Sequence, residues 1–464
     1  MKNKYIDFIE QNFNFPQPEL KLENNQLNFH DINLMDLVQK YGTPFKFSYL
    51  PQISNNINRA KTWFEKAITK HDYQGKYNYC YCTKSSHFKF ILDEALSNDV
   101  HIETSSAFDF DILFSLIKEG KIQKDRFIVC NGYKMDDYIK HIATLIKQGY
   151  ENCIPIIDNS NELNHLCDAI DTNFKIGMRI ASEEDPTFEF YTSRLGIGYR
   201  DIVPFYKKEI AQKEHIELKM LHFFINTGIR DTAYYWNELL KSVNVYIELK
   251  KVCPSLDSLN IGGGFPVKNS LTFEFDYEYV IDIIIEQIKK ACDEAGVPVP
   301  NIFTEFGTFT VGESAGVVYE VLYQKQQNDR EKWNMINSSF ITTLPDTWAI
   351  GKRFLMLPIN RWNEEYERCF LGGLTCDSDD YYNSGQESNA IFLPKYDKNA
   401  PLYLGFFNTG AYQESIGGFG GLQHCLIPTP KHIVIDRDED GNLTDYLFAP
   451  EQKADQILKI LGYK

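Results

Sequence analysis

The chain has 464 residues, 43% of them hydrophobic, enough to bury a large core in two or more domains. Its 48 basic and 64 acidic residues give a formal net charge of -16, which argues against nucleic acid or an anionic membrane surface held by general electrostatics. A cationic small substrate suits this charge, and so does a solubilising acidic surface.

The opening MKNKYIDFIEQNF lacks the apolar core of a signal peptide, and no later run is long enough to span a bilayer, so a cytoplasmic location is expected. The first 45 residues are extended and loop-rich, with PELKLENNQLNFHD reading as a hairpin around Asn24 and Asn25. From about residue 77 to residue 306, eight β-rich runs alternate with amphipathic stretches. The runs are YNYCYC (77–82), VHIET (100–104), FIVCN (127–131), CIPIID (153–158), KIGMRIA (175–181), LKMLHFF (218–224), SLNIGG (258–263) and NIFTEF (301–306). Between them, HFKFILDEAL, DFDILFSLIKEG and YEYVIDIIIEQIKKACDEAG repeat apolar residues at three and four, the period of a helix. Cys80 and Cys82 fall on one face of the first run and read as buried thiols, with no second pair to complete a zinc site.

Eight strands alternating with helices predict a (β/α)8 barrel over residues 46–311. After residue 312 the pattern changes to β-like runs with long loops, among them GVVYEVLYQ, RCFLGGL, PLYLGFF and HIVIDRD. Residues 1–45 and 312–464 are therefore expected to form a second, mostly β domain. In a barrel the chemistry gathers at the strand C-terminal ends, which here carry Lys84, Glu103, His222, Gly262 to Gly264 and Glu305. A lysine there can form a Schiff base with an aldehyde such as pyridoxal phosphate if its amine is deprotonated. That cofactor also calls for a phosphate cradle and a carboxylate at its ring nitrogen. The glycines of NIGGGFP could offer backbone N–H groups, and Glu305 the carboxylate. Alone, a triple glycine reads first as a flexible turn, and an isolated strand-end Glu is more often simply solvated.

The ordered segments YCYCTK, HIETSS, MRIASEEDPTFEFYTSRLGI, LNIGGGFP, TEFG, LTCDSDD and NTGAYQES resemble the fold type III pyridoxal-phosphate-dependent amino-acid decarboxylases. Within that group, LPDTWAIGKRFLMLPI, then TCDSDD and TGAYQESIGG, look most like the biosynthetic arginine decarboxylases. The resemblance covers most of the chain. It implies that Lys84 is the Schiff-base lysine, that Glu103 is an acidic residue near the cofactor, and that Gly262, Gly263 and Gly264 hold the phosphate. It further implies that Glu305 pairs with the pyridinium, Gly307 follows it in the cofactor site, and Tyr412 contacts the phosphate. Cys376 becomes the acid that reprotonates the α-carbon, and Asp377 the group that grips the distal cation of the substrate. A homodimer or higher homo-oligomer with shared active sites is implied, since in this family Cys376 and Asp377 serve the neighbouring subunit. Mg2+ is implied only in general terms, with no ligand set to place it.

Three departures stand out. In LHFFINTG the family's ring-stacking histidine aligns with Phe224, while His222 lies two residues earlier on the same expected strand face; either could serve. Thr227 replaces a phosphate-binding serine and keeps its hydroxyl. The family's Glu-Pro-Gly-Arg becomes Glu305-Phe306-Gly307-Thr308, and the lost arginine weighs against diaminopimelate, whose second carboxylate calls for a bidentate partner. The chain also lacks the helical insertion that the better-known arginine branch carries before its last β domain.

The activity expected is decarboxylation of L-arginine to agmatine and carbon dioxide, toward polyamines. The alternatives are a decarboxylase of the same fold acting on ornithine, diaminopimelate or a carboxylated polyamine precursor, and, from another class, a non-catalytic pyridoxal-phosphate-binding protein. A carrier would have no need of a substrate-facing acid. Asp379 and Asp380 read as further negative charge near the substrate or as a solvated acidic loop.

Overall fold

The structure, a computed structural model, describes residues 3–183, 192–382 and 391–464. Residues 184–191 of the MRIASEEDPTFEFYTSRLGI segment lie outside the described residues. The chain divides into two compact units, one of Ile53–Pro266 with Phe275–Thr310, the other of Met1–Gln52, Val267–Glu274 and Val311–Lys464.

The first unit is the expected barrel. Its strands are β1 (Tyr77–Cys82), β2 (His101–Thr104), β3 (Ile128–Cys130), β4 (Cys153–Ile157), β5 (Phe174–Ala181), β6 (Ile216–His222), β7 (Ser258–Asn260) and β8 (Asn301–Phe306). All pair in parallel in chain order, and β8 returns to β1 with Glu305 beside Cys80, which closes the sheet. Cys80, Val129, Ile154, Ile156, Met220 and Phe303 form one buried cluster contributed by β1, β3, β4, β6 and β8. Burying each such side chain stabilises the fold by roughly 1.5–3 kcal/mol over leaving it exposed. Helices cover the outside for the reason their periodicity gave. Along Tyr277–Ala295, the buried residues are Val280, Ile281, Ile284, Ile285, Ile288 and Cys292, spaced at three and four. Asp276 caps its start by accepting from Tyr279 N, and Gly296 ends it with φ +65°.

Two strands stop short of their predicted ends. β7 ends at Asn260 rather than Gly263, because Gly262 turns to φ +68° and its N–H donates to Asn260 Oδ1. β6 ends at His222 rather than Phe224, and Phe224 O accepts from Ser182 Oγ at 2.8 Å. Phe224 therefore lies two residues beyond the end of the strand.

The second unit is mostly β. Strands Leu20–Glu23 and Gln26–Phe29 form the predicted hairpin, with Asn24 and Asn25 at φ 50° and 66°, the backbone of a two-residue I′ turn. A ten-stranded mixed sheet is built around Ala315–Gln326, which pairs with Phe45–Tyr49, Lys332–Ile336 and Leu402–Phe407. N-terminal and C-terminal segments thus share one sheet, and Phe45, Phe47, Val318, Phe407 and Ile433 share one core. Among the described residues, no helix is long and apolar enough to cross a membrane.

Candidate active site

The site begins where β1 ends. Thr83–Ser85 form a single 3-10 turn, held by Ser85 Oγ donating to Cys82 O at 2.7 Å. Asp109, in the first turn of helix Ala107–Lys118, accepts from Thr83 Oγ1 at 3.0 Å and bonds His87 Nε2 at 2.9 Å, so one carboxylate grips both flanks of Lys84. Burial alone would raise the Asp109 carboxyl, but His87, the Ser105 N–H and Thr83 outweigh it and hold it below the usual range. Gly307, just past the end of β8, packs closely on the same turn: a Cβ there would lie 2.9 Å from Ser85 Cβ.

Lys84 Nζ donates to Glu103 Oε1 at 3.2 Å, and that oxygen also accepts from Ser105 Oγ and Asn131 Nδ2, both at 2.9 Å. Glu103 is fully buried. Glu305, at the end of β8, is buried too and accepts from Asn131 Nδ2 and Asn260 Nδ2. His222 Nε2 lies 3.5 Å from Glu305 Oε2. Burial by itself would push the Glu305 carboxyl up, but His222, Lys84 and the Asn131 amide outweigh it and hold it down to about 2. The barrel mouth therefore sets a lysine and a histidine against two buried carboxylates. Sequence reasoning found Lys84, Glu103, His222 and Glu305. It missed Asn131, Asn260 and Asp109, whose only signal was a lone polar residue at the end of an apolar strand or the start of a helix.

The glycines pack against backbone. A Cβ on Gly263 would lie 1.9 Å from Glu305 O, and one on Gly264 would lie 2.6 Å from Gly228 Cα, next to Thr227. The Gly262 N–H is committed to Asn260 Oδ1 at 2.9 Å. The half-buried Phe224 carries the Arg179 guanidinium 5.7 Å from its ring centroid, a cation the sequence reading did not single out.

The remaining predicted residues lie in the other unit. Cys376 is exposed, and its Sγ is 3.6 Å from Sγ of Cys425, also exposed. The hydrogen bond from Cys425 pushes the Cys376 thiol above its usual value. Asp377 is half-buried, accepts from Asp379 N at 2.9 Å, and lies 3.4 Å from His424 Nε2. His424 and Cys425 thus face Asp377 and Cys376 in order, a match between segments about fifty residues apart that no local pattern announces. Asp380 corrects the expected acidic loop. It is buried, and it accepts from Phe340 N, Ile341 N, Thr375 N and Thr375 Oγ1, so it fixes the loop instead of facing solvent or substrate. Tyr412 takes a left-handed backbone, φ +70°, beside Gln413, which is anchored by donating to Asp346 Oδ2 at 2.7 Å. The segments LPDTW and NTGAYQES are therefore joined by side chains.

Residues 54–312 match the family model described as pyridoxal-dependent decarboxylase, pyridoxal binding domain. The chain belongs to the pyridoxal-dependent decarboxylases. Relatives of this family include the biosynthetic arginine decarboxylase of Geobacter sp. (strain M21), 22% identical over an alignment 510 positions long that covers 83% of this chain and 79% of the relative. Among solved structures, the biosynthetic arginine decarboxylase SpeA of Campylobacter jejuni superposes with a TM-score of 0.81 at 19% identity, covering 99% of this chain and 90% of its own. Diaminopimelate decarboxylase of M. jannaschi superposes with a TM-score of 0.79 at 17% identity, covering 95% and 97%. The two superpositions show that the chain shares their fold, a closed parallel barrel with a mostly β unit.

The barrel mouth fits the family's cofactor. His222 Nδ1 and Asn131 Oδ1 are buried there and have no hydrogen-bond partner among the described residues, the condition of polar atoms that a polar ligand completes. The lysine, the ionised carboxylate and the side-chain-free glycine loop are the three features a pyridoxal phosphate needs. Among the described residues, no group of three or more His, Cys, Asp or Glu could hold a metal ion, and Mg2+ is assigned no residues.

Proposed function

We propose that the chain decarboxylates L-arginine to agmatine and carbon dioxide, with pyridoxal phosphate carried on Lys84. The observation that supports this most is the barrel mouth, where Lys84 sits against buried Glu103 and Glu305 is held ionised. Arginine as substrate draws on the names of the relatives and on Asp377 standing next to the Cys376 thiol. When bound, pyridoxal phosphate supplies an electron sink conjugated to the substrate α-carbon. Glu305 would sit against its ring nitrogen and keep that nitrogen protonated. Gly262, Gly263, Gly264, Thr227 and Tyr412 would surround the phosphate, with Glu103, His222, Phe224 and Gly307 completing the cofactor's surroundings. Asp377 would receive the guanidinium. The raised pKa of Cys376 keeps its proton on sulfur at neutral pH, ready for the α-carbon once carbon dioxide has left.

In this reading the mostly β unit, Met1–Gln52 with Val267–Glu274 and Val311–Lys464 rather than 1–45 with 312–464, contributes substrate residues to the barrel of a partner subunit in a cytoplasmic homodimer. The agmatine formed feeds polyamine and spermidine synthesis. Ornithine, diaminopimelate and a carboxylated polyamine precursor are the rival substrates, and Thr308 in place of arginine counts against diaminopimelate. To test the reading, the purified chain loaded with pyridoxal phosphate is given equal arginine, ornithine, lysine and diaminopimelate, and the amines are identified by mass spectrometry. Agmatine alone, absent with Lys84→Ala, is expected. Another amine would overturn the role of Asp377, and no amine would favour a carrier.

A further inference from the structure

Asn131 sits between the two carboxylates of the barrel mouth, and the mechanism above leaves it unused. Its Nδ2 is 2.9 Å from Glu103 Oε1 and 2.9 and 3.0 Å from the two Glu305 oxygens. Ionised carboxylates only accept, so only the NH2 side of the amide can face both. Lys84 Nζ joins at Glu103 Oε1, Asn260 Nδ2 joins at Glu305 Oε1, and Asn260 Oδ1 accepts the Gly262 N–H. One continuous row of hydrogen bonds therefore runs from Lys84 through Glu103, Asn131, Glu305 and Asn260 to the glycine loop. Glu103, Asn131, Asn260 and Glu305 are all buried, so water does not screen the two carboxylates from each other.

We infer that Asn131 is a positioning residue: its amide donates to both buried carboxylates and offsets their mutual repulsion, so that Glu103 holds Lys84 while Glu305 serves the cofactor ring. The inference rests on the proposed cofactor site but not on arginine as substrate. Two like charges sharing a buried space repel, and without a common donor one of the pair takes up a proton near neutrality. The other titratable groups facing the pair are Lys84, His222, Cys80, Cys82 and Tyr138. Burial raises both thiols and the phenol well above their usual values, so these three stay neutral through the same window.

The test titrates the visible absorbance of bound pyridoxal phosphate from pH 5 to pH 9 with no amino acid present. Wild type is expected to show no carboxyl transition in that range. Asn131→Ala is expected to introduce one and to lower kcat at least tenfold with KM changed less than twofold. Adding Glu103→Gln removes one of the two charges, and the new transition is expected to vanish. A wild-type titration curve in Asn131→Ala, or a transition that survives in the double variant, would overturn the inference, the latter by showing a merely structural effect. If Asn131→Ala does not fold, Asn131→Ser, which keeps a single donor, is read by the same criteria. A wild-type chain with no visible band would overturn the cofactor site itself and this inference with it, whereas a band without agmatine would overturn only the arginine reading.

Discussion

At the scale of single residues, the pairing of Cys376 with Cys425 sets the proton inventory of the proposed acid. A thiol whose pKa is raised stays protonated to higher pH, so the alkaline limb of kcat, which reports the donor in the enzyme–substrate complex, lies to the alkaline side of an isolated cysteine's. Cys425→Ala removes the neighbour that raises it. The limb is then expected to shift to lower pH while the affinity for pyridoxal phosphate stays unchanged, as measured in kcat profiles and by cofactor titration. An unmoved limb would mean that Cys376 does not donate the proton. Cys376 was legible in the sequence because it stands in the long segment LTCDSDD. Cys425 was not, because QHCL carries no spacing that points to a partner. Asn131 and Asn260 show the same limit, since each reads as one polar residue closing an apolar run until closure of the barrel brings both to Glu305.

At the scale of elements, the strands were legible because their signal is local: runs of β-branched and aromatic residues bounded by turn formers. Their ends were less so, since the last residue depends on a hydrogen bond made elsewhere, as with Gly262 N to Asn260 Oδ1. The short helices Phe340–Thr343 and Pro345–Ala349 escaped notice because four or five residues show no helical period. The loop after strand Tyr366–Gly372 makes the energetic case. Asp380 satisfies four donors there, and Gly373 leaves it room, since a Cβ would lie 2.2 Å from Asp380 Oδ2. Asp380→Ala strands those donors and is expected to cost about 3 kcal/mol of stability. The loss should appear in denaturant unfolding, together with a fall in kcat at unchanged cofactor affinity. A stability within about 0.5 kcal/mol of wild type would show that the carboxylate does not hold the loop.

At the scale of the molecule, Lys84 and Cys376 lie in different compact units, and the proposed dimer makes each subunit's acid serve its partner. Lys84→Ala and Cys376→Ala are each expected to be inactive alone. Unfolded and refolded together as an equal mixture, they should recover about a quarter of wild-type activity, because half the twofold dimers are mixed and each mixed dimer keeps one intact site. No recovery would place Cys376 in its own subunit's site or outside the site altogether.

The amino-acid order by itself determined eight β runs with helices between them, a β-rich remainder, and a lysine, two glutamates and a glycine loop at strand ends, because strand and helix periods are written in neighbouring residues. Tertiary structure alone decided which side chains meet. Asn131 bridges Glu103, 28 positions away, and Glu305, 174 positions away, only because β8 returns to β1. Likewise, Asp380 became a buried acceptor because Thr375 and the start of helix Phe340–Thr343 aim their donors at it. Contacts of that kind depend on how the chain closes on itself, and no local pattern encodes them.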